Sequence, residues 1–148
     1  MDIKAYLQQI RTEQTEIEIM QSKKYDIVSI PGMRYDTDKV QTSNSTDLSD
    51  IALKLADFDR KYDKRLNCLI DRKKTAMELI NSLGESSQRL VLIMYYLDRK
   101  KIPGSKYTRP YTWFEVAQIL NYSVDRVKHI HGYALQNLNR KKAGCTKN

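Results

Sequence analysis

Both histidines of the chain lie in SVDRVKHIHGYALQNLN, Ser123 to Asn139, as His129 and His131, two residues apart. An imidazole can ligate a metal, move a proton or hydrogen-bond to another molecule. Spacing narrows the choice. Residues three or four apart share a helix face, whereas residues two apart point well away from each other. On a helix, His129 and His131 do not close on one zinc ion as an i, i+4 pair would. Cys68 and Cys145 make no metal-ligand pattern either and read as two reduced thiols. No metal and no cofactor is expected. Nor is an enzyme, because the chain has no glycine-rich phosphate loop, no H-E-x-x-H and no G-x-S-x-G. Asp57, Asp59 and Asp63 alternate with Lys and Arg, as on a salt-laced solvent face.

What the 123–139 stretch does depends on the elements that hold it. The chain has 148 residues, 41 % hydrophobic and 30 % charged, with only five glycines and three prolines, which suits a mostly helical protein with few tight turns. No apolar run reaches the roughly 20 residues of a membrane span, and Met1 opens a polar helix, not a signal peptide. No membrane association is expected, and the cytoplasm is the expected location. The net charge of +8 is unevenly placed. Residues 1–83 hold 14 Lys/Arg against 14 Asp/Glu, and residues 84–148 hold 12 against 4. A neutral front and a basic back suggest that the back meets a polyanion.

Ile3, Leu7, Ile10, Ile17 and Met20 recur at threes, fours and sevens and predict an amphipathic helix, with Gln14 breaking the stripe. The stretch from Tyr25 to Asp47 contains the Pro31-Gly32 turn signal and ends in a Ser/Thr/Asn/Asp cluster, where Thr46 or Asp47 can cap the next helix. Leu48, Ile51, Leu55, Phe58, Tyr62, Leu69, Ala76 and Leu83 then line one long helix, which needs a partner along much of its length. That partner is either the first helix folded back or the same helix of a second chain. The shortness of the first helix tips the expectation toward a homodimer.

After Gly84, a plausible C-terminal cap, the pattern changes to three shorter helices. SSQRLVLIMYYL, Ser86 to Leu97, starts on a serine cap and is apolar almost all round. TWFEVAQIL, Thr112 to Leu120, opens with the capping box Thr112 and Glu115. The third is the opening stretch, with Ser123 as cap and Val127, Ile130, Ala134 and Leu138 along one face. Only Asn121 and Tyr122 separate the last two, and asparagine tolerates the left-handed backbone so sharp a turn needs. With small Ala117 midway along the first of them, the pair predicts a helix-turn-helix completed by Ser86–Leu97.

The stretch from Glu78 to Asn139, with RLVLIMYYL followed by TWFEVAQILNYSVDRVKHIHGYALQNL, resembles region four of primary sigma factors. The front, with PGMRYDTDKVQTSNSTD before the long helix, resembles the ArpU/RinA group of phage late-gene transcription regulators. The resemblance implies a sequence-specific activator of phage or prophage late genes, acting with host RNA polymerase on double-stranded DNA. It places Val124, Asp125, Lys128 and His129 where sigma factors approach bases, although Val124 stands where those have an arginine. The connection from Asp98 to Tyr111 is also longer than in sigma factors.

Each candidate has a chemical role. Lys128 or His129 can donate to guanine, Asp125 can accept from cytosine, and Val124 can meet a thymine methyl. Arg126 points sideways toward phosphate, and Ser123 and Thr112 head the two helices. His131 is expected to flank the core. Arg99, Lys100, Lys101, Lys106 and Arg109 surround Pro103-Gly104 and read either as a basic arm on the DNA backbone or minor groove, or as a solvated loop. The expected fold is all-α. A helix and a long coiled-coil-like helix over 1–83 form an oligomerisation or partner-binding region, 84–142 forms a DNA-binding helix-turn-helix, and 143–148 is a tail. A small terminase subunit and a polymerase-binding sigma mimic that reads no DNA are the alternatives.

Overall fold

The computed structural model describes residues 2–28 and 48–145. The Pro31-Gly32 turn, the caps at Thr46 or Asp47 and the YDTDKVQTS stretch lie outside these residues, as does the tail beyond Cys145. Among the described residues the chain is helical, with one small two-stranded sheet.

Helix α1 (Ile3–Val28) and helix α2 (Leu48–Asn81) run antiparallel. Their cross-links show the direction: Tyr6 donates to the Arg72 carbonyl at 3.1 Å, Arg65 meets Glu16 at 2.5 Å, and Lys24 meets Asp59 at 2.7 Å. Along α1 the buried residues are Ile3, Leu7, Ile10, Gln14 and Ile17, the alternating four-and-three spacing that keeps one face on a partner helix. They meet Leu69, Ala76 and Ile80 of α2 and Leu83 just beyond it, with Tyr62 and Leu66 packed alongside. The stripe of the long helix from Tyr62 onward is therefore covered by α1 of the same chain, the fold-back arrangement. Leu53, near the start of α2, is 68 % exposed.

The same core takes in Leu92, Tyr96, Leu97, Ala134, Leu135 and Leu138, so it runs without a break across Leu83 and Gly84. The turn at that point corrects the sequence reading. Among the described residues only Asn121 and Gly104 have positive φ, so Gly84 is not a left-handed cap. The helix closes without special backbone: the Ser82 N–H reaches the Glu78 and Leu79 carbonyls and the Leu83 N–H the Ile80 carbonyl, while Arg89 donates to the carbonyls of Leu83 and Gly84 in the turn beyond at 2.6 and 3.0 Å.

Helix α3 (Ser86–Leu92) follows, and the residue before it, Glu85, makes no side-chain cap. The serine cap expected there is absent because Ser86 is already inside the helix. Ile93–Leu97 continue as a π-helical turn, with the Asp98 N–H on the Ile93 carbonyl at 2.9 Å. The wider turn lets the adjacent rings diverge: Tyr96 enters the core, and Tyr95 stacks on Trp113 with 3.7 Å between centroids.

The segment from Asp98 to Tyr111 is a β-hairpin, not a loop. Strand β1 (Arg99–Lys101) pairs antiparallel with β2 (Thr108–Pro110), placing Lys100 opposite Arg109 and Lys101 opposite Thr108. Gly104, at φ 72°, supplies the left-handed residue of the connecting turn. Helices α4 (Trp113–Leu120) and α5 (Val124–Cys145) complete the chain. Among the described residues no helix is long and apolar enough to cross a membrane.

Candidate nucleic-acid interface

The α4–α5 pair is built by local rules that agree with one another. Thr112 accepts from the Glu115 N–H at 3.3 Å, and Glu115 accepts from the Thr112 N–H at 3.0 Å, so the capping box is complete. Val116 and Ala117 are buried on the facing side, where the small alanine permits close approach. Asn121 takes the left-handed conformation (φ 56°, ψ 41°), and the Tyr122 N–H returns to the Ala117 carbonyl at 2.9 Å. Ser123 then caps α5 by accepting from the Arg126 N–H at 3.2 Å. Val127 and Ile130 lock α5 against Val91, Met94, Val116 and Ala117.

This anchoring decides what faces outward. Ser123, Asp125, Arg126, Lys128 and His129 are all exposed at the N-terminal end of α5. Val124 is half-buried and packs on the inner cluster. The end of α5 thus gathers a hydroxyl, a carboxylate, two cations and an imidazole on a helix whose register is fixed from behind. Donors and acceptors of these types match the edges that base pairs present in a major groove.

His131 has a different environment. It is half-buried, its Nε2 is 2.8 Å from the Tyr96 hydroxyl, and it packs edge-on to Trp113. Burial, with Lys4 adding to it, lowers its pKa to about 4, so the ring is neutral at neutral pH. Burial likewise pushes the Tyr96 hydroxyl up to about 12, with Tyr95 adding to the effect. The two form a neutral hydrogen-bonded pair that ties α5 to the π-helical turn. Among the described residues no group of His, Cys, Asp and Glu could hold a metal ion.

Helix α1 grips this unit through Arg11, Gln14, Thr15 and Glu18, polar residues that the sequence did not single out for the site. Arg11 donates to the Tyr111 carbonyl at 2.9 Å and lies 3.9 Å over the Tyr95 ring, which itself stacks on Trp113 at the head of α4. Gln14 donates to the Tyr96 carbonyl at 3.0 Å. Glu18 accepts from Arg99 and from Thr108, backbone and hydroxyl. Gln14 left a trace in the sequence as the break in an apolar stripe; Arg11 and Glu18 look like ordinary solvent-face charges.

The hairpin residues divide accordingly. Arg99 lies against α1, bonded to Glu18, Thr15 and Thr108, with 11 % of its side chain exposed. Lys100 and Arg109, opposite each other across the strands, both turn to Glu115: Lys100 Nζ at 2.7 Å and Arg109 at 2.8 Å on the second oxygen. Lys101 and Lys106 are exposed toward the tip, Lys106 lying over the Tyr107 ring at 5.6 Å. Thr112 serves as the α4 cap. The hairpin is thus held between two carboxylates, Glu18 on α1 and Glu115 on α4.

Residues 82–140 match the family model for sigma-70, region 4. No curated protein and no solved structure matches the chain. The match covers α3, the hairpin, the helix-turn-helix and most of α5, and it points to a DNA-binding regulatory domain in the C-terminal part.

Proposed function

We propose that the protein is a sequence-specific DNA-binding transcription regulator that reads base pairs with the first two turns of α5. The observation behind this reading is the exposure of Asp125, Arg126, Lys128 and His129 on a capped helix anchored from behind by Val127 and Ile130. In helix-turn-helix proteins that end of the second helix enters the major groove while the first helix crosses the backbone. The concentration of positive charge after Leu83 supports the same partner. The finer reading is an activator of phage or prophage late genes, working with host RNA polymerase in the cytoplasm. It is supported by the resemblance of PGMRYDTDKVQTSNSTD to the ArpU/RinA regulators and by the sigma-type reading head.

Selection of duplexes from a random library with the full-length protein, followed by sequencing, tests this. Enrichment of one motif, lost when Lys128 and His129 are both replaced by alanine, is the expected result. Recovery of no motif despite salt-sensitive binding would rule out base reading. Transcription from a promoter carrying the motif, rising on addition of the protein to host polymerase, tests activation.

A further inference from the structure

Glu115 does more than cap α4. Its Oε2 accepts from the Thr112 N–H at 3.0 Å, and its two oxygens also receive Lys100 and Arg109, one cation from each strand of the hairpin. The three side chains differ in exposure. Glu115 is 13 % exposed, whereas Lys100 and Arg109 are each 42 % exposed, so the carboxylate is largely covered by its partners while both cations reach solvent. Arg99, by contrast, has its charge enclosed by Glu18 and Thr108. The Arg109 and Lys100 hydrogen bonds hold the Glu115 carboxyl well below the usual carboxylate range, so it stays charged wherever DNA would be bound.

The position of the trio matters because the first helix of a helix-turn-helix crosses the sugar–phosphate backbone. Lys100 and Arg109 are fastened to the first turn of that helix. We infer that Glu115 masks Lys100 and Arg109 in the free protein and that both cations turn to DNA phosphates when a duplex docks, which rests on the DNA-binding reading above. The exchange is local, since ion pairs with outer atoms in water cost little to open and a phosphate replaces the carboxylate as partner. The device moderates nonspecific attraction: in the free protein one carboxylate offsets part of the hairpin charge, and only docking on the α4 side uses it in full.

Glu115→Gln tests this in the full-length protein, because glutamine at the same position still completes a capping box. Binding to a scrambled duplex is measured over a range of salt concentrations by anisotropy, with the melting temperature recorded alongside. Unmasking two cations should tighten scrambled-duplex binding about threefold to tenfold at low salt. It should also leave the specific contacts of α5 in place. In the wild-type background Lys100→Gln alone should flatten the logarithmic salt slope by about one, because that cation ends on a phosphate. Adding Lys100→Gln and Arg109→Gln to Glu115→Gln should remove the gain. An unchanged affinity in Glu115→Gln together with an unchanged slope in Lys100→Gln would overturn the inference while leaving DNA binding intact. A wild-type protein without salt-dependent DNA binding would overturn both.

Discussion

Gln14 of α1 donates its side-chain N–H to the Tyr96 carbonyl at 3.0 Å, across 82 residues of sequence, and both residues are buried. Tyr96 lies in the π-helical turn, where the helix ends and its last carbonyls have no intrahelical donor. The Gln14 carbonyl in turn accepts from Lys73 at 3.2 Å, and burial lowers that lysine's pKa. One amide therefore joins α1, α2 and the helix that supports the reading head. Gln14→Leu would fit the apolar stripe but strand the Tyr96 carbonyl and remove the Lys73 partner. The expected loss is about 1–3 kcal/mol, read from urea denaturation. A variant as stable as the wild type would show that water replaces the amide without cost.

The Tyr96–His131 pair makes stability depend on pH. An unfolded histidine titrates near about 6.5, and His131 in the fold titrates at about 4 because burial, and Lys4, disfavour its charged form. The folded pKa is the lower one, so its contribution is fully present above about pH 6.5. It is lost as the pH falls toward 4, where the unfolded chain takes up a proton that the fold resists. After discounting for the part of the ring in contact with water, about 1–2 kcal/mol should disappear between pH 7 and pH 4.5. His131→Phe should flatten the urea-midpoint profile in that window, even though it also loses the bond to Tyr96. An equally steep profile in the variant would assign the effect to other groups.

Gly132 offers a gain in stability. It lies within α5, and a Cβ built on it meets nothing within 4 Å. Glycine inside a helix costs conformational entropy, so Gly132→Ala should stabilise the protein by about 0.5–1 kcal/mol. A rise of a few degrees in melting temperature is the expected reading; a fall would reveal a neighbour that the free protein's geometry does not show.

The helix-turn-helix was legible because its rules are local. The Thr112–Glu115 box, small Ala117, left-handed Asn121 and the Ser123 cap lie within twelve consecutive residues, and each occurs as the sequence required. The long helix was legible as an element, yet its partner was not, since a stripe says that a face is covered but not by which helix. The hairpin was missed for a related reason. Its strands are three residues long, too short for alternation to register, and what holds them is Glu18 and Glu115, one of them about 80 residues away. The basic residues of that segment looked equivalent in sequence, and only their partners distinguish them.

Base reading and fold maintenance should separate cleanly at the head of α5. Lys128 and His129 are exposed and flanked by buried Val127 and Ile130, so alanine at either leaves the inner packing untouched. On the selected site each replacement should cost about 1–3 kcal/mol and flatten the preference at one or two base pairs. On a scrambled duplex the His129 variant should change little. Equal losses on both duplexes would mean that this helix attracts DNA without reading it.

Arg99 and Lys101 stand two residues apart on one strand and are expected to fail in opposite ways. Arg99 joins the hairpin to α1 with one side chain: its guanidinium donates to the Thr108 hydroxyl at 2.7 Å and carbonyl at 3.1 Å, to Thr15 at 3.0 Å and to Glu18 at 3.3 Å. Enclosed in this way, it has little charge to offer a phosphate. Arg99→Ala would leave Glu18 half-enclosed without its cation and should lower stability by about 1.5–3 kcal/mol, with the salt slope of DNA binding changed only as far as the hairpin loosens. Lys101 is exposed near the hairpin tip. Lys101→Ala should leave the melting temperature within a degree or two, weaken binding to every duplex alike, and reduce the salt slope by about one if a phosphate lies against it. Denaturation and salt titration on the two variants, run side by side, decide the matter. A stable Arg99→Ala protein with a flattened slope would show that Arg99 reaches DNA and that Glu18 is not its principal partner.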